Sequence, residues 1–132
     1  MGSLEHTLTG HDYLEPSAYR RDVEHIFHRS WFVAGRGERL APGNRDVVDV
    51  AGESVLLTRD RAGTLHAFAN VCRHRGAQLC SGHSDSTQGS LMCPYHQWTY
   101  SLDGQLVATP RLEPRSEEHT SELQSRGLIS YA

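Results

Sequence analysis

The sequence of 132 residues contains no lysine, no long apolar run and only three cysteines. Its 13 basic residues are all arginines and are interspersed with 16 acidic residues, which leaves a net charge of −3. Because there is no basic stripe to neutralise phosphates, nucleic acid is a poor candidate partner. No segment has the length of a membrane span, and the first residues lack the basic-then-apolar order of a signal peptide. We therefore expect a cytoplasmic protein without a membrane partner.

The three cysteines are an odd number in a chain without export features, so a disulfide framework is not expected. Two of them have histidines at short spacing, in Cys72-x-His74 and, after eighteen intervening residues, Cys93-x-x-His96. Thiolates are the usual ligands of iron–sulfur clusters, and in Rieske centres two imidazoles replace two thiolates on one iron. The pattern therefore predicts a Rieske-type [2Fe–2S] cluster held by these four residues. Cys80 has no such neighbour and is expected to be a small buried hydrophobe.

Tetrahedral zinc is the alternative for the same four donors, because structural zinc sites also combine two cysteines with two histidines. Zinc modules more often contain paired Cys-x-x-Cys spacings, which this sequence lacks. The visible and EPR spectra of the reduced, metal-loaded protein distinguish the two.

The remaining pattern predicts a mainly β fold preceded by one N-terminal α-helix. Apolar residues from Tyr19 to Phe27 share one face of a predicted helix over residues 16–30, and Pro16 stands where a helix starts. Period-two segments separated by turn residues, among them Ala51–Gly52 and the hairpin signal Asp103–Gly104, predict antiparallel sheets. The polar segment 81–90 predicts a surface loop. The predicted strands are Trp31–Ala34, Asp46–Val50, Ser54–Arg59, Leu65–Asn70, Thr99–Leu102 and Gln105–Ala108.

Two loops, over residues 72–76 and 93–98, interrupt the predicted strands and carry the four donors. Gly76 can take a positive φ, which would let backbone N–H groups turn towards the sulfurs. Trp98 and Tyr95 are expected to keep water from the inner side of the cluster. The two histidines are expected at its outer edge, where electrons enter and leave.

The predicted domain organisation has three parts. Residues 1–30 comprise an arm without periodicity and the helix, and residues 31–114 comprise the [2Fe–2S] domain, incomplete at its C-terminal end. Residues 115–132 are interpreted as a non-native tail, because 115–125 and 129–132 resemble two in-frame parts of a translated sequencing adapter. Codons that depart from the adapter would rule out this interpretation.

Both loops and their neighbours resemble one protein family. They are similar to the large (α) subunit of Rieske non-haem iron ring-hydroxylating oxygenases, and the resemblance covers most of residues 12–112. The matching motifs are Cys72-Arg73-His74-Arg75-Gly76-Ala77-Gln78-Leu79, Cys93-Pro94-Tyr95-His96-Gln97-Trp98-Thr99-Tyr100 and Leu102-Asp103-Gly104. The resemblance implies a Rieske fold in which the cysteines bind the inner iron and the histidines bind the outer iron.

The resemblance also implies partners and a larger enzyme. In that family a ferredoxin or a flavin reductase using NAD(P)H supplies electrons, which the cluster passes to a mononuclear Fe(II) held by two His and one carboxylate. That iron belongs to a C-terminal domain that this chain does not contain, so the chain alone is predicted to be an inactive part of a monooxygenase or dioxygenase. A trimer-type homo-oligomer is implied for the full-length protein. Aromatic acids, aromatic hydrocarbons and quaternary ammonium compounds are all open as substrates.

A stand-alone Rieske ferredoxin is the main alternative within the same cofactor class, since its length would suit. Such carriers commonly lack a leading helix and commonly have Gly where Trp98 stands. A respiratory, high-potential Rieske protein agrees less well, because Ala77 and Tyr95 occupy the positions of its two extra cysteines.

Overall fold

The computed structural model describes residues 7–82 and 89–110 and the backbone of residues 129–130, and it divides into two compact units between Trp31 and Phe32. The smaller unit contains helix α1 over Gly10–Leu14, helix α2 over Pro16–His25 and a 3₁₀ turn over Phe27–Arg29. No helix in the described ranges is both long enough and apolar enough to cross a membrane.

The predicted helix is confirmed at its start but ends earlier than expected. The α-helix stops at His25, and Phe27–Arg29 continues it as a 3₁₀ turn, a tightening that is frequent at helix C-termini. Helix α1 lies where no regular structure was expected. It is five residues long, too short for periodicity to reveal, and it begins where the Thr9 N–H and hydroxyl both donate to the Asp12 carboxylate.

Within the described part of the larger unit there are eight short strands in three sheets. Strands β2, β3 and β4 form one antiparallel sheet, β5, β6 and β7 form a second, and β1 and β8 form a two-residue parallel pair. The strands are β1 Phe32–Val33, β2 Arg45–Val50, β3 Glu53–Arg59, β4 Leu65–Ala69, β5 Ser90–Met92, β6 Thr99–Ser101, β7 Leu106–Ala108 and β8 Ile129–Ser130.

The six predicted strands are confirmed to within a few residues at their ends, and β5 and β8 were missed. Strand β5 is three residues long and follows polar residues, so it has no recognisable alternation of its own. Residues 83–88, in the predicted surface loop, lie outside the described residues. The proposed adapter-derived tail, 115–132, also lies outside them apart from the backbone of β8, and it stays a prediction.

The turn between β6 and β7 requires glycine. Gly104 has φ +92°, and a Cβ atom there would lie 2.7 Å from Cε1 of Phe68, a core residue of the other three-stranded sheet. The predicted Asp103–Gly104 turn is thus confirmed, with a packing reason that the dipeptide alone did not reveal.

Alternate residues of β3 and β4 face opposite sides of their sheet, and both sides are buried. Leu56 and Phe68 pack in a cluster with residues of β5, β6 and the two ligand loops. Val55 and Leu57 pack on the other side in a smaller cluster with Leu40. The first cluster lies directly against the candidate site, because it contains Cys72, Leu79, Cys80, Leu91, Cys93, Trp98, Tyr100 and Leu102.

Thr58 connects the two three-stranded sheets through a buried polar contact. Its side chain is fully buried, and its hydroxyl donates to the carbonyl oxygen of Leu102 at 2.6 Å. The hydroxyl thus supplies a hydrogen-bond donor to the buried carbonyl of Leu102, beside the β6–β7 turn.

Replacing Thr58 by Val, which keeps the shape and removes the hydroxyl, is expected to lower the free energy of unfolding by about 1–3 kcal/mol, because the buried carbonyl of Leu102 loses its donor. Chemical denaturation measures the change. The control is Thr64→Val at an exposed position, for which less than about 0.5 kcal/mol is expected. Equal losses in the two variants would contradict this role for Thr58.

Candidate metal centre

The first ligand loop, loop 1, runs from Cys72 to Ala77 and is closed by two backbone hydrogen bonds. The N–H of Cys72 donates to the carbonyl of Ala77 at 2.8 Å, and the N–H of Gly76 donates to the carbonyl of Cys72 at 2.9 Å. Gly76 has φ +69°, as expected from the sequence. The N–H of Gly76 itself, however, donates to the carbonyl oxygen of Cys72 and is not turned towards a sulfur.

The second ligand loop, loop 2, runs from Cys93 to Trp98 and has the same closure. The N–H of Cys93 donates to the carbonyl of Trp98 at 2.8 Å, and the N–H of Gln97 donates to the carbonyl of Cys93 at 3.0 Å. Gln97 occupies the position of Gly76 and has φ +59° although it is not glycine. Two loops of unrelated sequence thus have matching backbones, and this equivalence was not visible in the sequence.

The structure brings the four predicted donors to these loops with the expected inner and outer placement. Cys72 and Cys93 are 2% and 1% exposed and belong to the core. His74 and His96 are half-buried, and their ring centroids lie 4.6 Å apart with the planes at 67°. Two thiols therefore lie inside and two imidazoles lie together towards the surface.

The buried polar atoms of the site fit a metal cluster. Nδ1 of His74 is shielded from solvent without a hydrogen-bond partner in the described ranges, and Nδ1 of His96 is likewise shielded from solvent. A buried nitrogen lone pair without a partner is costly, and coordination to a metal satisfies it. Within the same ranges, no three His, Cys, Asp or Glu side chains are placed to hold one metal ion together.

Tyr100 is fully buried and contacts loop 1 at its base. Its hydroxyl lies 3.3 Å from Sγ of Cys72 and accepts a hydrogen bond from the N–H of Arg73 at 3.2 Å. Burial, followed by the hydrogen bond with Cys72, raises the pKa of Tyr100, so the phenol keeps its proton at neutral pH. If Cys72 is a thiolate, the tyrosine must be the donor of this contact.

Asn70 holds the segment that follows loop 1. Its Nδ2 donates to the carbonyl of Cys80 at 2.7 Å and to Oγ of Ser54 at 3.0 Å, while its Oδ1 accepts from the N–H of Cys80 at 3.0 Å. The buried amide therefore takes the place of a strand pairing between β3 and this segment. Neither Asn70 nor Tyr100 was identified from the sequence, because their partners lie 10 to 28 residues away.

The two aromatic residues of loop 2 differ from each other. Trp98 is 4% exposed and stacks on the ring of His74, whereas Tyr95 is 61% exposed and contacts His96. The expectation that both exclude water from the inner side is therefore wrong for Tyr95, whose ring lies at the surface. The position in loop 2 decides which ring is buried. Tyr95 lies at the tip of the loop, whereas Trp98 accepts the backbone hydrogen bond from Cys93 that closes it.

Two further candidate donors of the larger unit, Cys80 and His66, have other surroundings. Cys80 is buried as predicted, and burial raises the pKa of its thiol against a smaller opposing effect of Arg45. His66 contacts the Asp60 carboxylate at 3.0 Å, and this hydrogen bond lowers the pKa of Asp60. His6 and His83 lie outside the described residues.

Residues 30–129 match the family described as the Rieske [2Fe–2S] domain. The chain belongs to this family. The cofactor of the family is the Rieske cluster, so the choice between an iron–sulfur cluster and zinc is decided in favour of the cluster. The mainly β Rieske fold predicted from the sequence is also confirmed.

Relatives of this Rieske domain are oxygenases. The glycine betaine monooxygenase oxygenase subunit of Pseudomonas aeruginosa is 43% identical over 96 residues, which make up 72% of this chain and 22% of the relative. The apo structure of the quaternary ammonium Rieske monooxygenase CntA matches 90% of this chain and 35% of its own, with TM-score 0.80 and 32% identity. Naphthalene 1,2-dioxygenase with bound indole matches 81% of this chain and 25% of its own, with TM-score 0.73 and 26% identity.

The chain spans between about a fifth and about a third of the length of these relatives. The similarity therefore concerns the Rieske domain that they share with this chain.

Substitutions at the positive-φ position of each loop, Gly76 and Gln97, are expected to differ in their effect on stability. Gly76→Ala should lower the free energy of unfolding by about 1 kcal/mol, because a Cβ is unfavourable in the left-handed region, although nothing lies within 4 Å of it. Gln97→Gly should raise it or change it by less than about 0.5 kcal/mol, because the relief of strain and the entropy of glycine oppose each other. Denaturation curves measure both. A larger loss for Gln97→Gly than for Gly76→Ala would show that the loops are not equivalent.

Proposed function

We propose that Cys72, His74, Cys93 and His96 are the ligands of the Rieske cluster. Cys72 and Cys93 would bind the inner iron as thiolates, and His74 and His96 would bind the outer iron through Nδ1. The cluster, when bound, supplies one-electron transfer. The observation that carries this assignment is the pair of buried Nδ1 atoms on adjacent histidine rings beside two buried thiols.

The surrounding residues prepare this site for its cofactor. The matching hydrogen bonds of the two loops hold Cys72 and Cys93 at equivalent backbone positions. The neighbouring core excludes water from the thiolates, and Tyr100 would donate a hydrogen bond to the thiolate of Cys72, whose Sγ lies 3.3 Å from its hydroxyl. The histidines, being half-buried, present the outer side of the site to a partner.

We further propose that the domain belongs to the α subunit of an oxygenase that acts on a quaternary ammonium compound. The support is the identity to relatives named for glycine betaine and for quaternary ammonium substrates, which is higher than the identity to naphthalene 1,2-dioxygenase. In this proposal the domain accepts electrons that a reductase or a ferredoxin draws from NAD(P)H. It passes them to a mononuclear Fe(II) outside this chain.

The proposal includes the wider organisation of the protein. A homo-oligomer of trimer type would place the outer histidines near the acceptor iron of a neighbouring subunit. Residues 31–114 would form the Rieske domain, residues 115–132 would be a non-native tail, and the 132-residue chain alone would be inactive. The cytoplasm stays the predicted compartment.

The full reading frame is expected to oxidise a quaternary ammonium compound when supplied with NAD(P)H, a reductase and O2. Product formation from glycine betaine, choline and carnitine is measured beside naphthalene as the contrasting substrate. Turnover of naphthalene alone would contradict the substrate class while leaving the oxygenase assignment in place.

Replacing any one of the four proposed ligands is expected to abolish the cluster. Cys72→Ser, Cys93→Ser, His74→Ala and His96→Ala each remove one bond to iron and should leave less than about a tenth of the bound iron and sulfide. Iron analysis and the EPR signal of the reduced protein measure the loss. Cys80→Ser is the control, because Cys80 is also buried but is not a proposed ligand, and this variant should keep its cluster. A His74→Ala protein with unchanged colour and iron content would refute the assignment.

Tyr100→Phe is expected to lower the reduction potential of the cluster. The variant removes the O–H donor to Cys72 Sγ, and a hydrogen bond to a ligand sulfur favours the more negative, reduced state. A shift on the order of 59 mV corresponds to a tenfold change in electron affinity for one electron. Potentiometric titration followed by EPR measures it, and Tyr95→Phe, at the exposed tip of loop 2, is the control with no expected shift. An unchanged or higher potential for Tyr100→Phe would contradict the proposed donor role.

A further inference from the structure

The two histidines of the site have different neighbours. The indole of Trp98 and the imidazole of His74 are stacked, with their centroids 4.7 Å apart and their planes only 5° from parallel. The rings of His74 and His96 also meet in an edge-type arrangement, with their centroids 4.6 Å apart. His96 itself is contacted by Tyr95 at 3.9 Å with a 39° tilt. One aromatic partner is thus parallel to its histidine and the other is inclined to it.

The two aromatic partners also differ in how firmly they are held. Trp98 is buried within the core cluster that contains both cysteines, and its carbonyl accepts the hydrogen bond that closes loop 2. Tyr95 is largely exposed to solvent at the tip of the same loop. A ring packed on all sides has one orientation, whereas a solvent-exposed ring can change its rotamer.

We propose that Trp98 is a positioning residue of the metal centre, which holds the imidazole of His74 in one plane by stacking on it from the opposite loop. Trp98 belongs to loop 2 and His74 to loop 1, so the contact couples one histidine to the backbone of the other loop. The exposed Tyr95 constrains His96 less. The inference rests on the proposed assignment of the four ligands.

The reason that such a contact affects the site is geometric. A metal-bound imidazole can rotate about the metal–nitrogen bond without changing the length of that bond. The orientation of the ring plane then determines how the orbitals of the nitrogen overlap with those of the metal. Packing against a fixed neighbour, together with hydrogen bonds, sets the orientation of a metal ligand in proteins. Loss of Trp98 should therefore change the spectroscopic signature of one histidine and weaken the binding of the cluster.

The test compares Trp98→Phe, which keeps a flat ring, with Trp98→Leu, which removes it. The full-length protein is loaded with its cluster and reduced, and pulsed EPR measures the hyperfine couplings of the two histidine nitrogens. Trp98→Leu should change the coupling of one nitrogen only, and chelator challenge should release its iron at least about tenfold faster. Trp98→Phe should retain both native couplings and release iron within about twofold of the native rate.

Two controls separate positioning from general destabilisation. Leu102→Ala truncates a buried side chain of the same core cluster that is not one of the aromatic residues against the histidines. This variant should keep both nitrogen couplings while lowering the melting temperature. Tyr95→Leu should leave the coupling of the His74 nitrogen unchanged. Trp98→Leu could also lose its cluster completely while Trp98→Phe and Leu102→Ala keep theirs. That result would support the proposal, because it is the expected weakening of cluster binding in its strongest form.

Three results would overturn the proposal. They are native couplings in Trp98→Leu, equal losses in Trp98→Phe and Trp98→Leu, and changes in Leu102→Ala that match those of Trp98→Leu. None of these results affects the assignment of the ligands, which fails if any one of the four ligand variants retains a native cluster. The two proposals can therefore be judged separately.

Discussion

The site depends on the backbone hydrogen bonds that close the two ligand loops. In each loop the N–H of the cysteine donates to the carbonyl five residues later, and the N–H four residues later donates back to the cysteine carbonyl. This reciprocal pair forces the fifth residue of each loop into the left-handed region, where Gly76 and Gln97 lie. Because both cysteines are fixed in this way, their side chains enter the core while the histidines remain near the surface.

Side chains from outside the closures then support loop 1 and the segment that follows it. Tyr100 contacts Sγ of Cys72 and the N–H of Arg73, and Asn70 holds the backbone of Cys80 with both ends of its amide. Both residues are buried and belong to the protein core, so the position of the loop is linked to the packing of the sheets. A change deep in the core can thus reach the metal centre without touching a ligand.

Much of the fold could be predicted because its turns and its alternation are local. Asp103–Gly104 and Ala51–Gly52 give hairpin turns that are recognisable from adjacent residues, and antiparallel strands pair on either side of each turn. Strand β5 and helix α1 could not be predicted, because segments of three and five residues are too short to carry a period. The exposed position of Tyr95 was also missed, because residue type alone does not tell whether an aromatic ring in a loop lies at its tip or at its closing pair.

The sequence by itself determined which chemistry the site can support, because two thiols and two imidazoles at these spacings limit the cofactor to a few choices. It also determined the fold class, since turn residues and alternation act between neighbours in the chain. Only the tertiary structure decided how the donors are oriented. The stacking of Trp98 on His74 and the contact of Tyr100 with Cys72 each join residues that are more than 20 positions apart. The burial of the His74 Nδ1 atom likewise depends on how the loops pack. Such contacts form only when the sheets pack, and no local pattern encodes them.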